Sequence, residues 1–590
     1  MRRAERTLLL LAAAAVLGAA AFLSSLSAQS MSGHRASLSR EETPDEAPSR
    51  ERDFWTSGED AGAAAALLDG LSDEEVLGQI FMMAYPGTEP PPLLYRWIER
   101  RALGGIKVFG WNAEDTEVLA AAIRGIQEAA GRTSHRIPPF IATDQEGGWI
   151  RHVKGSTSVT PGNMAIGASA LPRDAYQSAL YIGRELAALG ITMNFAPTVD
   201  LALKPRSTII GPRAFSADPS VAAVLAAAYV RGMEDAGVLP TAKHYPGHGD
   251  TELDSHGILP VIPVDESTLW DRDLVPYRML VAEGLPGIMS GHLAFPRITG
   301  DRTPASLSRY FITDILRNRM GFDGLVVTDD LFMTGAALPG GFPEICVRAV
   351  MAGNDILMIS RIMEFSEEAW VRLLREYRTN PEFKARVRQS ALRILRAKQA
   401  YLKPKGPSGV EPLAERASLL QSRDARTFFT DQAYRSATVL EGSGLPLLPG
   451  GRIILAGSFS DFFAEGGARY PGAETFRFSY QPAAEVLAAE LESFRARLGG
   501  ARAVVVNVAN PAGAAFARTA ARAGVPVFLV SGLSPVYALD AGPITGGVAV
   551  YNGSRESFAA AFAVLSGAVE GGGILPIPRK IGRASCRERV

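Results

Sequence analysis

From about residue 100 the chain repeats one unit: a short apolar run, a polar residue at its end, then a helical stretch. The runs are Gly105–Phe109, Pro139–Thr143, Ile191–Ala196, Leu239–Ala242, Gly287–Met289, Gly324–Val327 and Asp355–Ile359. They end near Asn112, Asp144, Asp200, Lys243-His244, His292, Asp329 and Ser360. Between them, segments such as Thr116–Ala130, Ala175–Leu189 and Val221–Ala236 carry apolar residues at three- and four-residue steps, the period of an amphipathic helix. Strands alternating with helices impose a parallel sheet. Near-continuous apolar strands require cover on both faces. Polar residues gathered behind so many strands favour a closed barrel over a doubly wound sheet, because barrels build their sites at the C-terminal strand ends. The expected fold class is therefore α/β: a (β/α)8 TIM-type barrel over residues 61–402, with seven strands placed by the pattern and the eighth not placed. Charged amphipathic helices over Phe365–Leu402 would pack outside it. Pro404-Lys405-Gly406-Pro407-Ser408-Gly409 marks a linker, taken as 403–424. Beyond it, the runs Ile453–Ala456, Ala503–Val508 and Val525–Val530 predict a smaller α/β sandwich domain over about 425–580.

Composition removes several classes. Lys+Arg is 61 against Asp+Glu 62, a net charge of −1, which gives no basic surplus for a nucleic-acid partner. Two cysteines exclude a disulfide scaffold and a Cys-rich zinc site. Arg2, Arg3 and Arg6 precede the apolar run Leu8–Leu23 and the small-residue stretch Ser24-Ser25-Leu26-Ser27-Ala28, the three parts of a secretory signal over 1–28. Export is expected, with cleavage near Ser27 or Ala28; a retained N-terminal anchor is the competing reading and the sole membrane contact foreseen. Residues 29–60 read as a disordered tether. Ile581–Val590, IGRASCRERV, resembles the translation of a sequencing adapter and is set aside from the fold, which leaves Cys346 as the native cysteine. A monomer is expected.

Three of the seven histidines fall in one stretch, Lys243-His244-Tyr245-Pro246-Gly247-His248-Gly249-Asp250-Thr251-Glu252-Leu253-Asp254-Ser255-His256. Pro246, Gly247 and Gly249 predict a loop after Lys243, and functional residues concentrate on such loops. A polar turn is one reading. A metal site is another, since His244, His248, His256, Asp250 and Asp254 are suitable ligand types; against it, the two rings of a His-x3-His pair share no fixed face on a Pro-Gly loop. The third pairs Asp254 with His256, a carboxylate orienting an imidazole for acid/base work.

This loop resembles the signature of the bacterial β-N-acetylglucosaminidase branch of glycoside hydrolase family 3. Asp144-Gln145-Glu146-Gly147-Gly148, Asn194–Asp200, Gly211–Ser216, Pro304–Ser308 and Gly324–Leu331 are similar to other segments of that family. The resemblance implies an exo-acting retaining hydrolase that removes non-reducing terminal N-acetylglucosamine from cell-wall or chitin-derived saccharides through a glycosyl-enzyme intermediate. It places the nucleophile at Asp329 and the acid/base at His256, paired with Asp254. Asp144, Arg213, Lys243 and His244 would hold the sugar ring. No metal and no organic cofactor are implied, and the partner is a saccharide. Because the dyad lies on a Gly/Pro-rich loop, it is expected to swing in over substrate and otherwise to lie away from Asp329 or be poorly ordered. Asp330 is the better candidate for a helix N-cap, His248 for shaping the loop, and His292 for either a pocket wall or a structural role.

After DQEGG the family has Arg-Val-x-Arg, whereas this chain has Trp149-Ile150-Arg151-His152. Arg151 could compensate only if it faced the same way. The alternatives are a broader family 3 β-glycosidase, a phosphorylase using phosphate in place of water, a metal-dependent hydrolase, or a non-catalytic cell-wall binding protein.

Overall fold

The computed structural model describes residues 53–57, 61–204, 206–207, 209–337, 339–406 and 413–578. The expected signal, residues 407–412 of the linker, and the tail 581–590 lie outside them, as does most of the expected tether. Within that tether, residues 53–57 instead pack on the barrel. Phe54 is fully buried, and its main-chain N–H donates to His135 O at 2.9 Å. The aromatic pair Phe54-Trp55, which packs against the barrel core, is the local reason.

Ten short strands precede residue 360: β1 (Phe81–Ala84), β2 (Gly105–Lys107), β3 (Phe140–Thr143), β4 (Gln145–Gly147), β5 (Ile150–Arg151), β6 (Met193–Asn194), β7 (Leu239–Tyr245), β8 (Gly287–Ser290), β9 (Leu325–Thr328) and β10 (Leu357–Ile359). Eight of them form one sheet in the order β10-β1-β2-β3-β6-β7-β8-β9, and its pairs are parallel. A parallel bridge between Val327 and Ile356 joins the two ends into a barrel. β4 and β5 make a separate hairpin at the barrel mouth. The unplaced eighth strand is β1. One residue, Ile80, separates it from the helix Asp73–Gln79, so the buried end of the helix, Val76–Gln79, runs straight into the strand with no loop to mark the boundary.

Local chemistry sets the helices between strands. Asp115 caps Thr116–Gly131 by accepting from the N–H groups of Glu117 and Val118, and Asp218 caps Pro219–Asp235 with proline at its first position. β7 runs two residues beyond Lys243, the point where a loop was expected. Tyr245 still pairs with Ser290, and the ladder stops at Pro246, which has no N–H.

The second sheet contains β11 (Thr438–Glu441), β12 (Ile453–Gly457), β13 (Glu474–Arg477), β14 (Ala503–Val508), β15 (Val527–Ser531) and β16 (Gly546–Ala549), in the order β11-β16-β15-β14-β12-β13. Apolar clusters line both of its faces, one around Leu455, Val505 and Phe562, the other around Val504, Phe516 and Leu529. This sheet rests on the barrel through Met164, Ala168 and Ile210 against Val536, Tyr551 and Ile577. Hydrogen bonds from Ile574 N–H to Ala168 O (2.8 Å) and from Ala217 N–H to Pro576 O (3.0 Å) clip the final described segment onto it.

Asp355 ties the barrel seam together. Its carboxylate accepts from Val326 N–H of β9 (3.0 Å) and Ser390 Oγ (2.9 Å), and ion-pairs with Arg317 (2.5 Å), Arg386 (2.7 Å) and Arg393 (3.5 Å). Burial alone would raise its pKa, but the three guanidinium charges hold it below the ordinary aspartate value. Replacing Asp355 with Ala removes the carboxylate partner of Arg317 and Arg386 and leaves Arg393 only Asp323 (3.1 Å), and we expect a loss of about 3–5 kcal/mol, measured by denaturant unfolding. Because the folded-state pKa is depressed, the contribution is complete above the ordinary aspartate value and fades below it. The stability gap between wild type and Asp355→Ala should therefore narrow as pH falls through that range.

Candidate active site

A recessed cavity of about 370 Å³ opens at the C-terminal ends of the barrel strands, within the size range of small-molecule sites. Asp144, Arg213, Lys243, His244, His256 and Asp329 all line it. Asp329 directly follows β9 at the floor. Its N–H donates to Ser290 O (2.9 Å), and its Oδ1 accepts from the N–H of Asp330 (2.8 Å). Burial would raise the Asp329 pKa; the charges of His244 and His292, the Asp330 N–H and the charge of His256 outweigh it and keep the group ionised. Asp330 does not cap a helix. It accepts from Phe332 N–H and Ser360 N–H (both 3.1 Å) and so ties the turn to the end of β10.

One wall is a chain of alternating charges. Asp144, at the end of β3, ion-pairs with Lys107 of β2 and with Lys243 of β7. Lys243 also meets Glu146 (2.7 Å), and Arg213 clasps Glu146 with two bonds of 2.9 and 2.7 Å. Asp144 and Glu146 are two residues apart, hence on the same face of extended chain. The Glu146 and Lys243 side chains are 1% and 2% exposed, against 17% for Asp144, so Asp144 is the carboxylate that meets the cavity and Glu146 orients the cations behind it. Burial would raise both carboxyl pKa values. For Asp144, Lys107 and Lys243 hold it well below the usual range; for Glu146, Arg213 and Lys243 bring it to about 2. Lys107 and Glu146 were not among the expected site residues. The signal for Lys107 was a lysine inside an apolar strand run.

His244 leaves β7 with its Nδ1 2.7 Å from Asp200 Oδ2 and its Nε2 3.4 Å from Arg213. Asp200 also accepts the His248 N–H at 2.6 Å. His248 is buried and neutral, its pKa driven to about 4 by burial, and among the described residues neither ring nitrogen has a hydrogen-bond partner. His292 stands behind the wall, bridging Ser306 Oγ (2.7 Å) and Asp330 O (3.0 Å). Among the described residues, no three His, Cys, Asp or Glu side chains converge as a metal site.

The loop bearing Asp254 and His256 lies over the cavity, contrary to the expectation that it would stand clear of Asp329. His256 shares the cavity lining with Asp329 and lowers its pKa. The cause is anchoring at the stem. A side chain at Gly249 would stand 2.3 Å from Leu201 O, Asp250 pairs with Arg272 (2.9 Å), and Gly335 N–H holds Ser255 O (3.1 Å). Asp254 Oδ1 accepts from the His256 main-chain N–H (2.9 Å) and faces its Nδ1 (2.6 Å). With Nδ1 committed to the carboxylate, Nε2 is the working nitrogen. The His256 side chain is 70% exposed, so the dyad meets both solvent and cavity.

The substituted positions separate. His152 faces the site: its Nδ1 is 3.6 Å from Asp144 Oδ2, too long for a hydrogen bond. Burial, then the charge of Lys107, drives its pKa to about 4. Arg151 does not compensate; it turns to Val153 O and acts on Glu185. Trp149 sits at the β4–β5 turn, 55% exposed, toward the second domain.

Residues 74–397 match the sequence profile described as the N-terminal domain of glycosyl hydrolase family 3. The protein named Beta-hexosaminidase A of Pseudoalteromonas piscicida is 33% identical over 392 residues, covering 62% of this chain and 64% of its own length. The chain thus spans just under two thirds of that relative. A Beta-hexosaminidase of Tolumonas auensis is 36% identical over 263 residues, 43% of this chain and 75% of that protein. The solved structure of a glycoside hydrolase family 3 β-N-acetylglucosaminidase from Paenibacillus sp. FPU-7 superposes with a TM-score of 0.77 at 29% identity, over 87% of this chain and 100% of that one. The profile match takes in more than half of the chain, all ten strands from β1 to β10 and the whole cavity wall; the chain belongs to glycosyl hydrolase family 3.

Proposed function

We propose that the chain is an exo-acting, retaining β-N-acetylglucosaminidase that releases non-reducing terminal N-acetylglucosamine from cell-wall or chitin-derived saccharides. The observation that carries this reading is the Asp254–His256 pair over the same cavity whose floor holds an ionised Asp329. The names of the Pseudoalteromonas, Tolumonas and Paenibacillus relatives agree with it. A closed floor and a volume of about 370 Å³ suit one terminal ring, which favours exo action. Export through residues 1–28 and action as a monomer belong to the same proposal.

Asp144, Lys243, His244 and Arg213 bind the ring hydroxyls, charged partners forming the stronger hydrogen bonds. An Asp329 oxygen attacks the anomeric carbon while the bond to the leaving oxygen breaks. The His256 imidazolium gives its Nε2 proton to that oxygen. The neutral ring then takes a proton from water, whose oxygen displaces Asp329 and restores the free carboxylate. Asp254 holds the ring orientation through both steps.

Purified protein should turn over an aryl N-acetyl-β-glucosaminide and leave the aryl β-glucoside nearly untouched; equal rates would remove the amino-sugar assignment. The released sugar should be unphosphorylated in phosphate buffer, which separates hydrolysis from phosphorolysis. Asp329→Ala should lower kcat by roughly 10⁴-fold or more. His256→Ala should cost about 10²–10⁴-fold on an alkyl glycoside, whose leaving oxygen needs a proton, and far less on a nitrophenyl one. His152 titrates near pH 4 and is neutral above it, so His152→Gln should leave the shape of the kcat/KM profile between about pH 5 and 9 unchanged. A displaced limb would instead assign His152 a titrating role.

A further inference from the structure

Next to the catalytic cavity lies a second, larger one of about 440 Å³, walled on one side by the barrel and on the other by the second domain. Ile209 and Arg213 line both cavities, so the two adjoin at these side chains. Trp149 reaches the second cavity from the tip of the hairpin whose base carries Asp144 and Glu146. Tyr480 and Tyr537 face it from the second domain, Tyr480 with its main-chain O fixed by Asn510 Nδ2. Arg213 is the one charged side chain on this lining among the described residues, and Glu146 takes its charge.

We infer that this cleft is the leaving-group site of the same enzyme and holds an uncharged pyranose ring, the second sugar of an oligosaccharide, with Trp149 as its stacking platform. The inference rests on the activity proposed above. Three aromatic side chains with polar edges, Trp149, Tyr480 and Tyr537, suit a sugar, which is apolar on its ring faces and hydroxylated around its rim. Among the described residues the lining offers no free cation to a carboxylate-bearing sugar or an acidic peptide, which favours β-linked N-acetylglucosamine oligomers over acidic muramyl ones. Trp149 thereby acquires a function: where the resembling family has an arginine, this chain has an aromatic plane directed at the leaving group. The second domain becomes a specificity element through Tyr537.

The test compares kcat/KM on the trimer of N-acetylglucosamine with kcat/KM on its methyl β-glycoside, which has no second ring. The trimer-to-methyl ratio should fall about tenfold in Trp149→Ala, fall in Tyr537→Ala, and recover most of its value in Trp149→Phe. Tyr537 lies in the other domain, so its effect does not depend on the hairpin folding correctly. An unchanged ratio in both alanine variants, or faster cleavage by the wild type of a disaccharide ending in a muramic acid carboxylate than of the neutral dimer, overturns the inference. A wild type inert on every N-acetylglucosaminide overturns the proposed activity, and a wild type active on all of them with an unchanged ratio overturns the leaving-group site alone.

Discussion

The buried run Lys107–Asp144–Lys243–Glu146–Arg213 is the constraint on which the site depends. Each charge in it is desolvated by the barrel, and none is tolerable without its neighbours. The run crosses β2, the end of β3, the hairpin and β7, so correct closure of one side of the barrel and correct placement of the polar wall are the same event. A well-packed apolar barrel would be simpler to stabilise. What the charges add is a set of donors and acceptors whose positions are decided before any ligand arrives, which lowers the ordering cost of binding.

The two halves of the proposed chemistry are supported differently. Asp329 directly follows β9, its N–H bonded to β8, and its surroundings keep it ionised. His256 hangs on a loop with a pinned stem and an exposed tip. A nucleophile benefits from a fixed angle of attack, whereas a proton donor must accept leaving groups of different shapes. Loop placement of catalytic groups beside a rigid scaffold serves that division.

Much of this was legible in the chain. The repeat of apolar run, polar end and helix places seven of the eight barrel strands, and the site residues follow because parallel barrels collect them at one end. β1 was not legible, because Ile80 alone separates it from the buried end of the preceding helix and no loop marks where one ends and the other begins. Lys107 and Glu146 were missed for another reason. Periodicity reports which face a residue occupies, but the value of a buried lysine depends on Asp144, which is 37 residues away in the chain. The position of the histidine loop also escaped, since a Pro-Gly sequence signals irregular backbone and says nothing of the contacts from Leu201, Arg272 and Gly335 that hold it. Six matching segments carried the family resemblance; they could not say that Arg151 turns away while His152 turns in, which is a matter of strand alternation across a two-residue turn.

The hairpin carries one more consequence. Gly148 and Gly162 lie back to back, so that a methyl group on either would stand 2.8 or 2.9 Å from the α-carbon of the other. Both also have positive φ, at 59° and 91°. Neither position can drift alone during evolution, and a change at one cannot be rescued by trimming its neighbour, which has nothing left to trim. Trp149, beside them, carries no such constraint: its side chain is 55% exposed, so the corner tolerates change at that position and not at the glycine pair beneath it.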